Sequence, residues 1–394
     1  MKIITLLQIR SLSSRLPFKA LLRISNIPSA ILLYKRITSP RNYKTVILTS
    51  DDKSDDFLAK VLQHHNVKFS RGNLPNVKKR FLKYLEKYND NDLIVRVTGD
   101  NIFVDRNLIK ICVNNFLKRK KEYLYTNPFY TGVPLGISVE VFRLSLLRRT
   151  KDVTHLDKEH VTYSFDKSEL NSVNFIKTNK NWKNLNCSID YMQDYQKIKN
   201  IFQNYSNPLT IKWNRLCDVL AKNNKRKLSY KKKYLTFSLK SYLKKDLSKK
   251  IILSICKLKE ENWKFGIKSQ LDFFNRNTKK KDIHNLLFYG GELVGYTLLK
   301  RKKYFNDKLR KRKIINFYLL DTFVIKKEHR NNNFGDLLMC YNNNKIINYK
   351  LPALLICNKK LIKFYTNNFW RVADKNKKYI LKIKYNQSLL TFNF

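Results

Sequence analysis

The stretch QIRSLSSRLPFK, residues 8–19, directly follows the apolar run KIITLL at residues 2–7. The run reads as a buried strand. A loop that only had to turn the chain would have no use for Arg10, Arg15 and Lys19 beside that strand end. Arginine presents a planar fork of donors matched to phosphate oxygens, and lysine adds a point charge. Backbone N–H groups of such a loop can add an anion nest. A triphosphate would use all of these together; a basic surface loop in a basic protein is the plainer alternative. Around this stretch, KTVILTS (44–50), VKFS (67–70), DLIVRVTGD (92–100) and EYLYTN (122–127) read as further strands. DDFLAKVLQHH (55–65) and NVKKRFLKYLEKY (76–88) read as helices, with apolar residues three and four apart. That alternation predicts an α/β domain with a mostly parallel sheet and helices on both faces. Such sheets bind ligands in the loops leaving the carboxyl ends of their strands, which is where residues 8–19 lie.

The chain has 394 residues, room for two or three domains at roughly 100–200 residues each. Hydrophobic residues make up 43%, so the chain is globular rather than disordered. The net charge of +51 raises a nucleic-acid reading. Only 9 Gly and 8 Pro accompany 23 Tyr, 24 Phe and abundant Lys, Asn and Ile, a bias that AT-rich codons produce without any acidic ligand. The six cysteines form no CxxC and no zinc-spaced cluster with histidine, as suits a reducing cytoplasm. MKIITLL opens like a signal peptide, but Arg10 ends the apolar run early and no cleavage site follows. No apolar run reaches the roughly 18 residues of a membrane span. The expected location is the cytoplasm.

Residues 1–205 form the first domain on this reading. Residues 206–248 carry the charge-dense KNNKRKLSYKKKY (222–234) and KSYLKKDLSKK (240–250), and are expected to be a basic linker. Residues 249–394 form a second α/β domain on a more antiparallel sheet. IILSICKL (251–258) is expected to be a strand and ENWKFGIKSQLDFFNRN (261–277) a helix. IHNLLFYGGELVGYTLLK (283–300) is a strand pair turning at Gly290–Gly291. IINFYLLDTFVI (314–325) and LPALLIC (351–357) are strands, with FGDLLMCYNNNKII (334–347) a helix between them.

The order Q-x-R-x-x-S-x-R-L-P-x-K resembles the opening signature of the sugar-acid cytidylyltransferases, and most closely that of the spore-coat polysaccharide cytidylyltransferase family. Further blocks recur in order across residues 1–200: TVILTSDD (45–52), RGNLPNVKKRF (71–81), RVTGDNIFVD (96–105), GISVEVF (136–142), KEHVT (158–162) and SIDYMQDY (188–195). Leu12, Asn26 and Ser138 stand where the family often has a small residue, a glycine and an aspartate. The resemblance implies a nucleotide-diphospho-sugar transferase-like (GT-A/Rossmann-like) fold. It makes Asp100 and Asp190 the ligands of Mg²⁺, a hard ion that takes oxygen ligands. It puts Arg10, Arg15 and Lys19 on the triphosphate of CTP, Gln8 near the base, Arg80 on base or phosphate, and Glu140 towards the acceptor sugar. A sugar hydroxyl would attack the α-phosphate in line and pyrophosphate would leave, the protein supplying position and charge neutralisation.

In the second half, FVIKKEHRNNNFGDLLM (323–339) runs from a strand through a polar turn into a helix, whose first N–H groups and dipole suit phosphate. It resembles the pyrophosphate-binding motif R/Q-x-x-G-x-G/A of the GNAT acetyltransferases, with Arg330 first, Gly335 last and Asn333 replacing the middle glycine. Asparagine tolerates left-handed backbone better than other non-glycine residues. LLICNKKLIKFYTNNFW (354–370) resembles that family's N-x-x-x-x-x-F-Y-x-x-G-F through Asn358, Tyr365 and Phe369. The likeness implies that strand backbone at Phe323–Ile325 pairs with the pantetheine arm of acetyl-CoA and that the Arg330–Gly335 amides hold its pyrophosphate. Tyr365 would protonate the leaving thiolate, and Asp321 or His284 would serve as base.

The resulting expectation is a bifunctional enzyme of surface-glycan biosynthesis: cytidylyl transfer to a sugar or sugar acid, and acetylation of an amino sugar. Two other readings stay open. One is an acetyltransferase whose first half only binds nucleotide. The other is a basic nucleic-acid-binding protein, for which Tyr230, Tyr234 and Phe237 interleave with the basic run. The main reading expects no nucleic-acid partner and leaves the oligomeric state, a homodimer included, undecided.

Overall fold

The computed structural model describes residues 1–39, 44–119, 122–126, 131–151, 154–165, 182, 184–225, 234–306, 313–373, 384 and 386–392. The chain divides into two compact units, Met1–Tyr234 and Leu235–Phe394.

In the first unit, β1 (Ile3–Gln8) is buried from Ile4 to Leu7, because every residue but Thr5 and the terminal Gln8 is aliphatic. Five further strands join it: β2 (Lys44–Ser50), β3 (Phe69–Gly72), β4 (Leu93–Thr98), β5 (Tyr123–Tyr125) and β6 (Glu140–Arg143). Their order in the sheet is β3-β2-β1-β4-β6-β5, the first four strands parallel and the last two antiparallel to their neighbours. Gln8 is level with Leu48 on one side and Thr98 on the other, so three loops leave one edge of the sheet together. The chain moves outward from β1 through β2 and β3, then returns to the other side of β1 as β4. That reversal leaves a crevice at the strand ends, the usual ligand site of a doubly wound sheet. Gly99 lets the two central strand ends touch: its N–H bonds Gln8 O at 2.9 Å, and a Cβ there would meet Ile9 Cγ1 at 2.7 Å.

Helices α1 (Ser29–Ile37), α2 (Asp56–His64), α3 (Val77–Leu85) and α4 (Arg106–Lys118) occupy the crossovers, the last two capped by the side chains of Asn76 and Asp105. After β6 come α5 (Leu144–Arg149), α6 (His155–Glu159), α7 (Met192–Gln203) and α8 (Trp213–Lys225).

The expected linker over 206–248 is not one. Arg36, fully buried on α1, donates to Ile102 O, Phe103 O, Pro208 O and Ile211 O, which ties 208–211 into the first unit. Asp105 accepts from Trp213 N at 2.9 Å, and α8 buries Leu216, Cys217 and Leu220. Further on, β7 (Phe237–Leu243) is an edge strand of the second sheet. Lysine-rich composition masked an amphipathic helix and a half-exposed strand, because lysines occupy the solvent faces of both. Tyr230 lies outside the described residues.

The second unit holds a sheet in the order β12-β13-β11-β10-β9-β8-β7, with β8 (Ile283–Tyr289), β9 (Glu292–Asn306), β10 (Lys313–Ile325), β11 (Ala353–Asn358), β12 (Arg371–Val372) and β13 (Gln387–Phe392). All neighbours are antiparallel except β10 and β11. The turn at Gly290–Gly291 is as expected, both residues having positive φ. IILSICKL is a correction: it lies in α9 (Lys249–Glu260), started by Ser248, whose Oγ accepts from Ile251 N. A short apolar run has no periodicity of its own. Packing decided it, because Ile255, Cys256 and Leu258 join Phe274 of α10 (Ile267–Asn277) over Tyr296, Leu298 and Val324 of the sheet. Helices α11 (Phe334–Asn348) and α12 (Ile362–Asn367) complete the unit.

Candidate active site

Residues 9–19 fold back over the ends of β1, β2 and β4. Two contacts set the loop: Phe18 N donates to Ser11 O at 2.5 Å, and Ser11 N donates to Asp55 Oδ1 at 2.6 Å. Asp55 is fully buried, and its other oxygen accepts from Thr49 Oγ1 at 2.9 Å, from Ser50 N at 3.0 Å and from the Ser50 hydroxyl. The Ser11 hydroxyl is buried without a partner, an orphan polar atom inside the loop. Phe18, buried at the end of the loop, holds a left-handed φ of 56°, a cost of about 1 kcal/mol accepted to aim the next residue. That residue is Lys19.

Asp100 follows β4, and Asp190 precedes α7. The Ser188 hydroxyl lies 3.1 Å from Asp100 Oδ2 and 3.5 Å from Asp190 Oδ2. Lys19 Nζ is 3.4 Å from Asp190 Oδ1 and 3.8 Å from Asp100 Oδ2, and donates to Ile189 O at 2.6 Å. Arg15 Nη2 meets Asp190 Oδ1 at 2.7 Å, its guanidinium 5.6 Å from the centre of the Tyr191 ring. Burial alone would raise the Asp100 pKa; Lys19 and the donors Thr98 and Ser188 outweigh it and hold the carboxyl below its ordinary value. Four of the residues singled out in the sequence therefore meet at one place.

Others go elsewhere. Arg10 pairs with Glu159 at 3.1 Å. Gln8 spends its carbonyl oxygen on Arg96, accepting from Nε at 3.0 Å and Nη2 at 2.9 Å. Arg96 Nη1 donates to Glu140 Oε1 at 2.7 Å, and Glu140 Oε2 is buried without a partner. Glu140 is thus a strand residue in a buried ion pair rather than an open acceptor contact. Arg80 donates to Asn73 O and Leu74 O, and burial lowers its pKa; it holds a loop. Leu12 is 45% exposed and so does not crowd the loop interior. Asn26 takes a φ of 63°, a left-handed backbone that glycine adopts freely and asparagine tolerates.

Sequence reasoning missed Arg96, Ser188, Asp55 and Glu159. A charged residue inside the apolar strand LIVRVT was the available signal for Arg96, since a buried charge must be paired. Nothing comparable marks Ser188. Its place depends on Gly136, where φ is 94° and a Cβ would stand 2.2 Å from Ser188 N.

In the second unit, Asn333 begins α11 with φ 64° and Asn331 shares that conformation, so the asparagines supply the left-handed turn expected of glycine. Gly335 packs under Phe364, where a Cβ would lie 3.3 Å from the ring. Arg330 donates to Ile325 O at 3.2 Å and to Asn262 Oδ1, bracing the loop. Asn358 accepts from Lys360 N and caps a turn. Tyr365 is buried against Phe323, Phe364 and Trp370, and burial raises its pKa. His284 is fully buried, bonded to Tyr296 Oη at 2.9 Å, and burial followed by Lys244 lowers its pKa to about 4. Asp321 pairs with Lys300 at 3.0 Å and lines a cavity of about 570 Å³ with Thr322, Trp263, Phe273 and Asp272. Strands β10 and β11 pair only from Tyr318–Leu320 to Ala353–Leu355, so Phe323–Ile325 make no bond to β11.

Among the described residues no helix is long and apolar enough to cross a membrane. The family model described as "Cytidylyltransferase" matches residues 4–237. The spore coat polysaccharide biosynthesis protein SpsF of Bacillus subtilis (strain 168) is 28% identical over 232 residues, 56% of this chain and 95% of that protein. A cytidylyltransferase structure from Leptospira borgpetersenii serovar Hardjo-bovis superposes with a TM-score of 0.51 at 24% identity, covering 58% of this chain and 99% of its own, which is a likeness of fold. An acyl-CoA N-acyltransferase from Pseudomonas aeruginosa gives a TM-score of 0.29 at 12% identity over 40% of this chain and all of its own. The acyl-transfer reading of the second unit therefore rests on its own residues. With more than half of its length matched by the family model and its strand-end crevice holding two acids, an arginine and a lysine, the chain belongs to the cytidylyltransferase family.

Proposed function

We propose that the first unit transfers the cytidylyl group of CTP to a hydroxyl of a sugar or sugar acid, releasing pyrophosphate. The observation that carries this reading is the convergence of Asp100, Asp190, Lys19 and Arg15 at the crevice between β1 and β4. Lys19 and Arg15 would bind triphosphate oxygens, fixing the α-phosphate for in-line attack. Asp55 keeps the loop closed by holding Ser11 N, and the unpartnered Ser11 hydroxyl offers one more donor. The two carboxylates, an all-oxygen donor set meeting at one hydroxyl, fit a hard divalent cation. Asp100 and Asp190 would hold Mg²⁺, which offsets charge developing on the phosphates. Pyrophosphate release from CTP with a panel of sugar acids and sugars tests the reading. CTP binding without release from any acceptor would favour a nucleotide-binding unit without turnover, and no CTP binding would reject the proposal.

The second unit, on the same proposal, moves an acetyl group from acetyl-CoA to an amino sugar. The left-handed Asn331–Asn333 turn before α11 and the unpaired β11 side of Phe323–Ile325 support a pyrophosphate and pantetheine site. Tyr365 would protonate the thiolate. The exposed faces of Trp263 and Phe273, beside the carboxylates of Asp272 and Asp321, suit a ring bearing an amine. Release of free CoA thiol with amino sugars is the expected result; no calorimetric binding of acetyl-CoA would refute it.

A further inference from the structure

We infer that the carboxylate pair takes its divalent cation together with the triphosphate, as a single chelate, and that Lys19 is the counter-ion exchanged in that event. The inference deepens, and rests on, the cytidylyl-transfer reading above. The geometry starts from charge. Asp100 and Asp190 are already met by two cations: Lys19 Nζ lies within 3.4 Å of one carboxylate and 3.8 Å of the other, and Arg15 Nη2 lies 2.7 Å from Asp190 Oδ1. The side chains of Lys19, Asp190 and Asp100 are only 17%, 19% and 25% exposed, so water screens them incompletely. A free divalent ion approaching these oxygens would come against an ammonium at contact distance, with no new anion to receive that ammonium.

A triphosphate changes both terms. It brings the anions that Lys19 and Arg15 need as new partners, and it carries the cation on its own oxygens. The device for the exchange is local. The backbone of Lys19 is fixed, because its carbonyl accepts from Ser29 Oγ at 2.6 Å and the preceding Phe18 is locked in its left-handed turn. The four-carbon stem has to swing and to give up the Nζ bond to Ile189 O at 2.6 Å, an exchange that a flexible lysine stem and new phosphate acceptors allow. Ser188 stays between the two carboxylates as the ammonium leaves. Linkage then requires that nucleotide raise the affinity for metal by the same factor as metal raises the affinity for nucleotide.

The test uses the full chain and Mn²⁺, with free ion followed by electron paramagnetic resonance, alone and with a CTP analogue carrying a methylene in place of the α,β-bridging oxygen. Protein-free nucleotide is the control. Wild type should bind Mn²⁺ at least about tenfold more tightly with the analogue than without it. Lys19→Met should bind nucleotide-free Mn²⁺ more tightly than wild type, by about threefold or more, while binding the Mn²⁺–analogue complex more weakly. Should the methionine variant fail to fold, Lys19→Gln carries the same two expectations. Unchanged or weaker nucleotide-free Mn²⁺ binding by the folded variant overturns the exchange. Asp100→Asn and Asp190→Asn separate this from the parent reading: if neither weakens Mn²⁺ binding in the presence of the analogue, the metal site itself is wrong.

Discussion

Asp100 and Asp190, ninety positions apart in the chain, share one hydroxyl, with Ser188 Oγ 3.1 Å from the first and 3.5 Å from the second. A hydroxyl has one proton to give, so Ser188 can neutralise only part of this pair. Its position depends on the close approach of residues 187–188 to Gly136. Gly136→Ala should therefore displace Ser188 and both acids' setting. A loss of about 1–3 kcal/mol in urea unfolding is expected from the left-handed φ and the overpacking, with a larger loss of pyrophosphate release. Ser188→Ala, which removes the hydroxyl without a clash, should lower turnover about tenfold with stability nearly kept. Equal turnover in Ser188→Ala and wild type would show that the hydroxyl does not set the carboxylates.

Asp55 makes the same kind of argument for the loop. Asp55→Asn replaces an acceptor oxygen with a donor facing Ser11 N, or facing Thr49 and Ser50. A KM for CTP raised about tenfold or more is expected, together with a stability loss of about 1–3 kcal/mol. Steady-state kinetics at saturating acceptor, beside chemical denaturation, read the two effects separately.

The Arg96–Glu140 pair is buried, at 8% and 11% side-chain exposure. Glu140→Ala leaves the guanidinium without its carboxylate and should cost about 3–5 kcal/mol. Glu140→Gln keeps an acceptor for Arg96 Nη1 and should cost less. Unfolding curves for the two variants in denaturant give the difference; equal costs would mean that the lost charge, and not the retained volume or acceptor, sets the penalty at this position.

His284 predicts the acid limb of stability in the second unit. Its folded pKa of about 4 lies below the unfolded 6.5, so as pH falls the unfolded chain takes up a proton that the folded chain refuses. The neutral ring's contribution is complete above pH 6.5 and is lost progressively down to pH 4, reaching about 3 kcal/mol. His284→Phe should flatten the dependence of the thermal midpoint on pH between 7 and 4.5. A slope identical to wild type would place the titration elsewhere.

Several elements were legible one by one in the chain. The aliphatic run of β1 and the helical spacing of α2 and α3 dictate their own structure, because each carries a period that burial enforces. Asn333 could be read as a glycine substitute because left-handed backbone is a property of the residue itself. IILSICKL and residues 206–248 were misread for the opposite reason. The first has no period, and the second hides its apolar face behind lysines; contacts with Tyr296 and with Arg36 settle them.

The amino-acid order by itself determined that a parallel α/β sheet opens with a cationic loop and that acids stand at positions 100 and 190. It could not decide which cation meets which acid. Arg15 and Lys19 reach Asp190 while Arg10 turns to Glu159, and Gln8 and Glu140 are drawn to Arg96. Those choices are made by strand register and by the closing of loops across the chain, because a charge takes the partner that the folded backbone brings within reach.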